Sequence, residues 1–378
     1  MPMWCGNVKF QVHKACETQK VWSLGFLFVS LPLVLIWDYT MAERMNMKEM
    51  MSDTTISSMQ EMVKDYLSEM QGRTADTGAL GFSTGFKPLD DLTGGFENGK
   101  VYVIGGRPEI GKEEFMLSII LNIIKETELP VLLFSTNRMK SDYTKRLLSM
   151  HCDIPTTHLS IGQLEPREWD RLNKKVGTLR DAPLFVHDSM DLPQNELIET
   201  VRMSIREKGV KIIFIDCLQM IDFANEDMTP SERMAKVMFA LKHLAVLNNL
   251  PIVVGSMLNR EVDHREGIEG RIPTLSDLAN SCYIEELADV VMMVHRPEYY
   301  RIYVDEKGND LRGVMEILVQ KNRLKPADYF RLYYNQKTGA VSMKGDTTAS
   351  SKQVSLEELE KNSEVIEKLV KTFDLVER

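Results

Sequence analysis

Gly106-Arg107-Pro108-Glu109-Ile110-Gly111-Lys112-Glu113 decides the fold. It is a phosphate-binding loop complete through its lysine, with glutamate where the G-x-x-x-x-G-K-[ST] pattern carries a hydroxyl. In that pattern glycines let backbone N–H groups wrap a polyphosphate, the lysine pairs with its outer phosphates, and the Ser or Thr holds Mg²⁺. Val101-Tyr102-Val103-Ile104 precedes the loop as an apolar strand, and Phe115, Leu117, Ile119, Ile120, Ile123 and Ile124 follow as one helix face. Strand, glycine turn and helix N-terminus in that order form an anion site, because the first-turn N–H groups are unpaired and the macrodipole is positive there. Further on, Val210-Lys211-Ile212-Ile213-Phe214-Ile215-Asp216 reads as a buried strand with an acid at its tip. Such a carboxylate binds Mg²⁺ directly or through water, or simply caps the next turn. Together the two elements predict a P-loop nucleotide fold, with Gly106, Arg107, Pro108, Gly111, Lys112 and Glu113 around ATP and with Asp216 and Glu113 as the candidate Mg²⁺ ligands.

The rest of the 378-residue chain fits one large domain with appendages. A net charge of −9 argues against a broad basic coat for nucleic acid, though not against a ring that grips DNA through a few channel loops. Five cysteines (Cys5, Cys16, Cys152, Cys217, Cys282) are scattered without zinc spacing and read as free thiols in a reducing, cytoplasmic compartment. Residues 21–37 are apolar and uncharged, slightly short for a membrane span. A signal anchor, a buried helix, or translation upstream of a true start at Met41, Met45 or Met47 would each account for residues 1–40. Within 52–72, Ile56, Met59, Val63, Tyr66, Leu67 and Met70 recur at helical spacing, and a polar linker follows.

The core, residues 80–345, alternates strand-like runs with helical patterns. Strands are predicted at 101–105, 131–135, 184–187, 211–216, 251–255, 289–294, 314–320 and 329–334, and helices notably at 113–126, 141–150, 166–178, 194–207 and 231–248. This alternation predicts an α/β fold with a mainly parallel, doubly wound sheet, the last two strands forming an antiparallel edge. Residues 346–378 read as a polar linker and a final helix opened by the capping box Ser355-Leu356-Glu357-Glu358.

On six collinear motifs the sequence resembles the RecA-like motor domain of the DnaB replicative helicases, a hexameric superfamily-four family, over about residues 52–345. The motifs are Gly81-Phe82-Ser83-Thr84-Gly85-Phe86-Lys87-Pro88-Leu89-Asp90-Asp91-Leu92-Thr93-Gly94-Gly95-Phe96, the loop with Arg107-Pro108, Phe134-Ser135-Thr136-Asn137, Ile215-Asp216-Cys217-Leu218-Gln219, Ser256-Met257-Leu258-Asn259-Arg260 and Lys321-Asn322-Arg323. The resemblance implies a six-membered ring that hydrolyses ATP between subunits and pulls single-stranded DNA through its centre. It implies further that Lys112 and Asp216 serve ATP and Mg²⁺, that Gln219 relays nucleotide state, and that Lys321 and Arg323 reach a neighbour's γ-phosphate. The helix within 52–72 would dock on the adjacent subunit. The family's separate N-terminal helical domain has no counterpart in the sequence.

Several residues depart from the family pattern. Glu113 replaces the metal-binding hydroxyl and, with Glu109 and Glu114, is expected to repel a polyphosphate. Asn137 stands where the resemblance implies a water-activating glutamate, and an amide cannot accept that proton. Met257 replaces a polar sensor, and Ala279 and Cys282 replace an arginine and a glycine. Arg260, Arg265 and Arg271, the candidate DNA contacts, are interleaved with Glu261, Asp263, Glu266 and Glu269. Two functions are therefore expected: a DnaB-like ATP-dependent DNA helicase motor with impaired hydrolysis, or a catalytically silent RecA-fold partner that assembles with itself or with a helicase.

Overall fold

The computed structural model describes residues 58–64, 66–67, 80–190, 192–222, 228–265, 270–279 and 282–343. The apolar segment 21–37, the three alternative starts, the polar linker after residue 72 and the C-terminal helix lie outside these. The chain divides into two compact units, Met1–Gly72 and Arg73–Arg378. In the first, residues 59–64 and 66–67 are helical, and Ser58 and Glu61 form a capping box: Ser58 N and Oγ donate to Glu61 Oε2, and Glu61 N donates back to Ser58 Oγ. Met59, Val63, Tyr66 and Leu67 of its apolar stripe are exposed.

The second unit is built on a nine-stranded sheet. Its strands are β1 (Val101–Gly106), β2 (Val131–Ser135), β3 (Leu184–Asp188), β5 (Ile212–Ile215), β7 (Ile252–Met257), β8 (Val290–His295), β9 (Val314–Asn322), β10 (Asp328–Tyr334) and β11 (Val341–Ser342); β4 (Leu192–Pro193) and β6 (Ile221–Asp222) pair separately. The strand order is β11-β10-β9-β8-β1-β7-β5-β2-β3. Every strand run read from the sequence is a strand. From β8 to β3 the pairings are parallel, whereas β8–β9, β9–β10 and β10–β11 are antiparallel. The antiparallel edge is thus wider than expected, taking in the two-residue β11.

The principal helices are α1 (Lys87–Thr93), α2 (Lys112–Glu126), α3 (Lys140–Cys152), α4 (Thr156–Ile161), α5 (Pro166–Arg180), α6 (Gln194–Lys208), α7 (Pro230–Leu247), α8 (Glu261–His264) and α9 (Cys282–Leu287). Short α1, α4, α8 and α9 were not among the predicted helices, because two turns or fewer carry little periodicity. The sheet buries both faces. Tyr102, Ile104, Leu133 and Phe214 pack with Phe115, Ile119 and Ile120 of α2 on one side, and Val101, Val103, Ile213 and Ile215 pack with Val237, Leu241 and Leu244 of α7 on the other. Alternation along each strand sends successive side chains to opposite layers, and each fully buried aliphatic or aromatic side chain stabilises by about 1.5–3 kcal/mol.

Parallel pairing brings the C-terminal ends of β1, β5 and β7 to one edge, with Gly106 opposite Met257 and Ile215 opposite Val254. In open α/β sheets this is the edge where ligands bind. At the same end of β8, His295 is 2% exposed and stacks on Tyr300 at 5.5 Å. Burial pushes its pKa down to about 4. The folded state therefore holds a neutral imidazole that the unfolded chain protonates below about pH 6.5, so this contribution is complete above pH 6.5 and is lost as pH falls towards 4. Denaturant midpoints from pH 7 to 4.5 should fall less for His295→Phe than for wild type, by up to about 3 kcal/mol in stability. Parallel losses in the two proteins would show that this imidazole is not responsible.

Candidate nucleotide-binding site

The phosphate loop leaves β1 and enters α2 through Gly111, whose φ of 107° lies in the left-handed region. A Cβ there would stand 2.4 Å from Met315 Cε, and one on Gly106 would stand 2.8 Å from Ile110 Cγ2. Glycine is therefore favoured by the close approach of Ile110 at Gly106 and by backbone freedom at Gly111, where only the flexible end of Met315 would have to move. Glu109 is exposed at φ 60°, a conformation that costs a non-glycine residue about 1–2 kcal/mol. No side chain caps the start of α2, so its first-turn N–H groups remain directed at the loop. Lys112 follows, 8% exposed. Gly255 of β7 lets this crowding exist: a Cβ there would lie 2.2 Å from the Asp216 carbonyl oxygen and 3.5 Å from Lys112 Cε.

Asp216, 1% exposed, sits just beyond β5. Its Oδ1 accepts from Thr136 N (2.9 Å) and Thr136 Oγ1 (2.5 Å), and its Oδ2 from Asn137 N (3.1 Å) and the Tyr143 hydroxyl (2.8 Å). Burial, then the charge of Asp216, raises the Tyr143 pKa and keeps the phenol a donor. Four donors fill the roughly four acceptor sites of a carboxylate. Glu113 is also engaged: its Oε2 lies 2.6 Å from Arg138 Nε and 3.4 Å from Arg146 Nη1, which also meets Glu114 Oε1 at 2.5 Å.

This geometry changes two expectations. The repulsion anticipated from Glu113 and Glu114 is offset by two arginines. The pair read as Mg²⁺ ligands, Asp216 and Glu113, is committed to the chain's own donors and does not fit a resident Mg²⁺. Asn137, at the proposed base position, anchors Asp216 through its backbone N–H.

Gln219 joins the phosphate edge to the next loop. Its Nε2 donates to Ser256 Oγ at 3.0 Å, and its Oε1 accepts from Met257 N at 3.0 Å. The Met257 carbonyl in turn accepts from Ala279 N at 3.0 Å, and Asn259 N donates to Asp277 O at 2.7 Å. A second link was not foreseen: Arg107 is bidentate on Asp263, at 2.6 and 3.2 Å, and donates to Leu258 O at 2.9 Å.

The candidate DNA contacts differ among themselves. Arg260 is exposed. Arg265 forms a bidentate pair with buried Asp277, and Arg271 lies against the Tyr300 ring at 5.5 Å and donates to its carbonyl at 3.3 Å. Arg265 and Arg271 therefore both contact the chain itself. The predicted trans residues also divide. Lys321 Nζ donates to the carbonyls of Glu285, Glu286 and Ala288 at the end of α9, and burial, then Arg323, lowers its pKa. Arg323 is 60% exposed, its Nη2 3.6 Å from Asp289, whose other oxygen meets Lys242 at 2.5 Å.

Fold and loop define a P-loop nucleotide-binding protein with a RecA-like sheet. Residues 81–342 match the family described as "DnaB-like helicase C terminal domain", and the chain belongs to that family. It is 31% identical over 267 residues to the replicative DNA helicase DnaB of Leifsonia xyli subsp. xyli, a match covering 70% of this chain and 57% of that one. It is 30% identical over 277 residues to a probable replicative DNA helicase of Trieres chinensis, covering 73% and 60%. The match thus spans about 60% of these relatives' length. A solved structure described as an ATPase domain superposes with a TM-score of 0.69 at 24% identity, covering 76% of this chain and 99% of that one. A DnaB-like replicative helicase, solved in a study of its interactions with primase, gives a TM-score of 0.67 at 22% identity, covering 83% and 74%.

The motifs located the loop and Asp216 but not Arg138, Arg146, Tyr143 or Asp263, whose partners lie far along the chain. Gly255→Ala would force its methyl into the Asp216 carbonyl, and the overpacking should cost about 1–3 kcal/mol in denaturant unfolding. An unchanged midpoint would contradict the close approach.

Proposed function

We propose that this chain is the motor portion of a DnaB-type helicase, binding ATP at the phosphate loop, hydrolysing it slowly, and moving single-stranded DNA through a ring of copies. The observation that carries this reading is buried Lys112 at the head of an uncapped helix, on the same sheet edge as Gln219. Lys112 and the first-turn N–H groups would hold the outer phosphates. Gln219 would pass a displacement of this edge to the segment from Met257 to Ala279 and so to the DNA side. Exposed Arg323 would complete the site on a neighbouring copy, where an arginine stabilises charge developing on the transferred phosphoryl group. Exposed Arg260 would face the DNA backbone.

Asn137 limits the chemistry. Water attacking the γ-phosphate would find an amide in place of a proton acceptor, a loss of about 10²–10⁴-fold. The same residue favours the second reading, a silent RecA-fold partner of a true helicase.

ATP hydrolysis by the full chain, with and without single-stranded DNA, separates the two. The motor reading predicts a low DNA-stimulated rate that Lys112→Ala abolishes and Asn137→Glu raises about tenfold or more. A rate indifferent to Lys112 and DNA, with no gain from Asn137→Glu, would leave the silent partner.

A further inference from the structure

The two carboxylates that should manage a metal are both engaged by the chain itself, and one of them holds a guanidinium at the phosphate loop. We propose that this loop takes a nucleoside di- or triphosphate without a divalent cation, Lys112 supplying the net positive charge and the Arg138 guanidinium, held on Glu113, supplying hydrogen-bond donors to the phosphates. The proposal rests on the nucleotide-binding reading above.

Three observations support it. First, Asp216 has no acceptor site left for a metal or for a metal-bound water, because Thr136, Asn137 and Tyr143 fill its two oxygens. Second, Glu113, where a hydroxyl would ligate Mg²⁺, carries Arg138 at 2.6 Å, and the pair is largely buried, with side-chain exposures of 14% and 29%. An uncompensated carboxylate there would repel phosphate; paired, it fixes a cation instead. Glu113 and Glu114 together balance Arg138 and Arg146, so Lys112 remains as net positive charge at the head of α2.

Third, Arg138 retains donors. A guanidinium has five N–H groups in a planar fork suited to phosphate oxygens. Glu113 takes the Nε–H, while Asp142, 3.7 Å from Nη1, is beyond hydrogen-bond length. The arginine is also held in place through its backbone, because its carbonyl accepts the Ser135 hydroxyl. A fixed guanidinium cannot replace the coordination geometry of Mg²⁺, but it can supply charge-assisted hydrogen bonds to a bound polyphosphate.

Calorimetric titration of the full chain with ATP and with ADP, in EDTA and in millimolar Mg²⁺, tests the proposal. The expected result is an affinity in EDTA equal to or tighter than that in Mg²⁺, and abolished by Lys112→Ala. Arg138→Ala should weaken binding in EDTA about tenfold or more. Arg138→Lys keeps the ion pair but loses the fork and should show an intermediate loss, which guards against misfolding of the alanine variant. Glu113→Thr should make binding respond to Mg²⁺. Wild-type binding that requires Mg²⁺, or that is unchanged in both folded Arg138 variants, would overturn the proposal and leave nucleotide binding standing. No binding in either buffer would overturn the nucleotide-binding reading itself, and the proposal with it.

Discussion

The rest of the site depends on one buried carboxylate. Asp216 is 1% exposed, and a charge so placed is tolerable only when its oxygens are hydrogen-bonded. Satisfying it pulls Thr136 and Asn137, beyond the end of β2, onto the tip of β5, and brings the Tyr143 hydroxyl in from α3. Those contacts fix the start of α3, and with it Arg138 and Arg146 over Glu113 and Glu114 at the head of α2. The ion pairs that neutralise the phosphate loop therefore follow from the need to satisfy Asp216. Gly255 is the matching constraint on the other side, since any side chain there would displace the same strand tip.

Much of this was legible in the sequence. Apolar runs bounded by turns gave all eight predicted strands, because a sheet buried on both faces demands continuous hydrophobic stretches. The octapeptide at 106–113 placed the ligand edge. The fate of the charged side chains was less legible. Arg138 meets Glu113, and Arg107 meets Asp263, across 25 and 156 residues. Nothing in local periodicity pairs such groups. Arg265 shows the same limit: a basic residue in a loop reads alike whether it faces a phosphate or a buried aspartate such as Asp277. The two-residue strand β11 escaped because it is too short to show alternation.

Two links tie the phosphate-loop edge to the end of β7 and the segment that follows it. Gln219 bridges the turn after β5 to Ser256 and Met257, and Arg107 reaches from the phosphate loop to Asp263 on α8. The substitutions at Glu113 and Asn137 sit in this machinery without dismantling it. Glu113 has acquired arginine partners, and Asn137 still donates its backbone N–H to Asp216. The loop thus keeps its lysine and its glycines, and Gln219 keeps its bonds to Ser256 and Met257.

The structure of the full chain with an ATP analogue in the presence of Mg²⁺ tests this account most directly. It predicts polyphosphate against Lys112 and the first turn of α2, an Arg138 guanidinium within hydrogen-bond reach of a phosphate oxygen while still on Glu113, and Asp216 with its four donors unchanged. A hydrated metal bridging the phosphates and Asp216, with Arg138 displaced from Glu113, would contradict it.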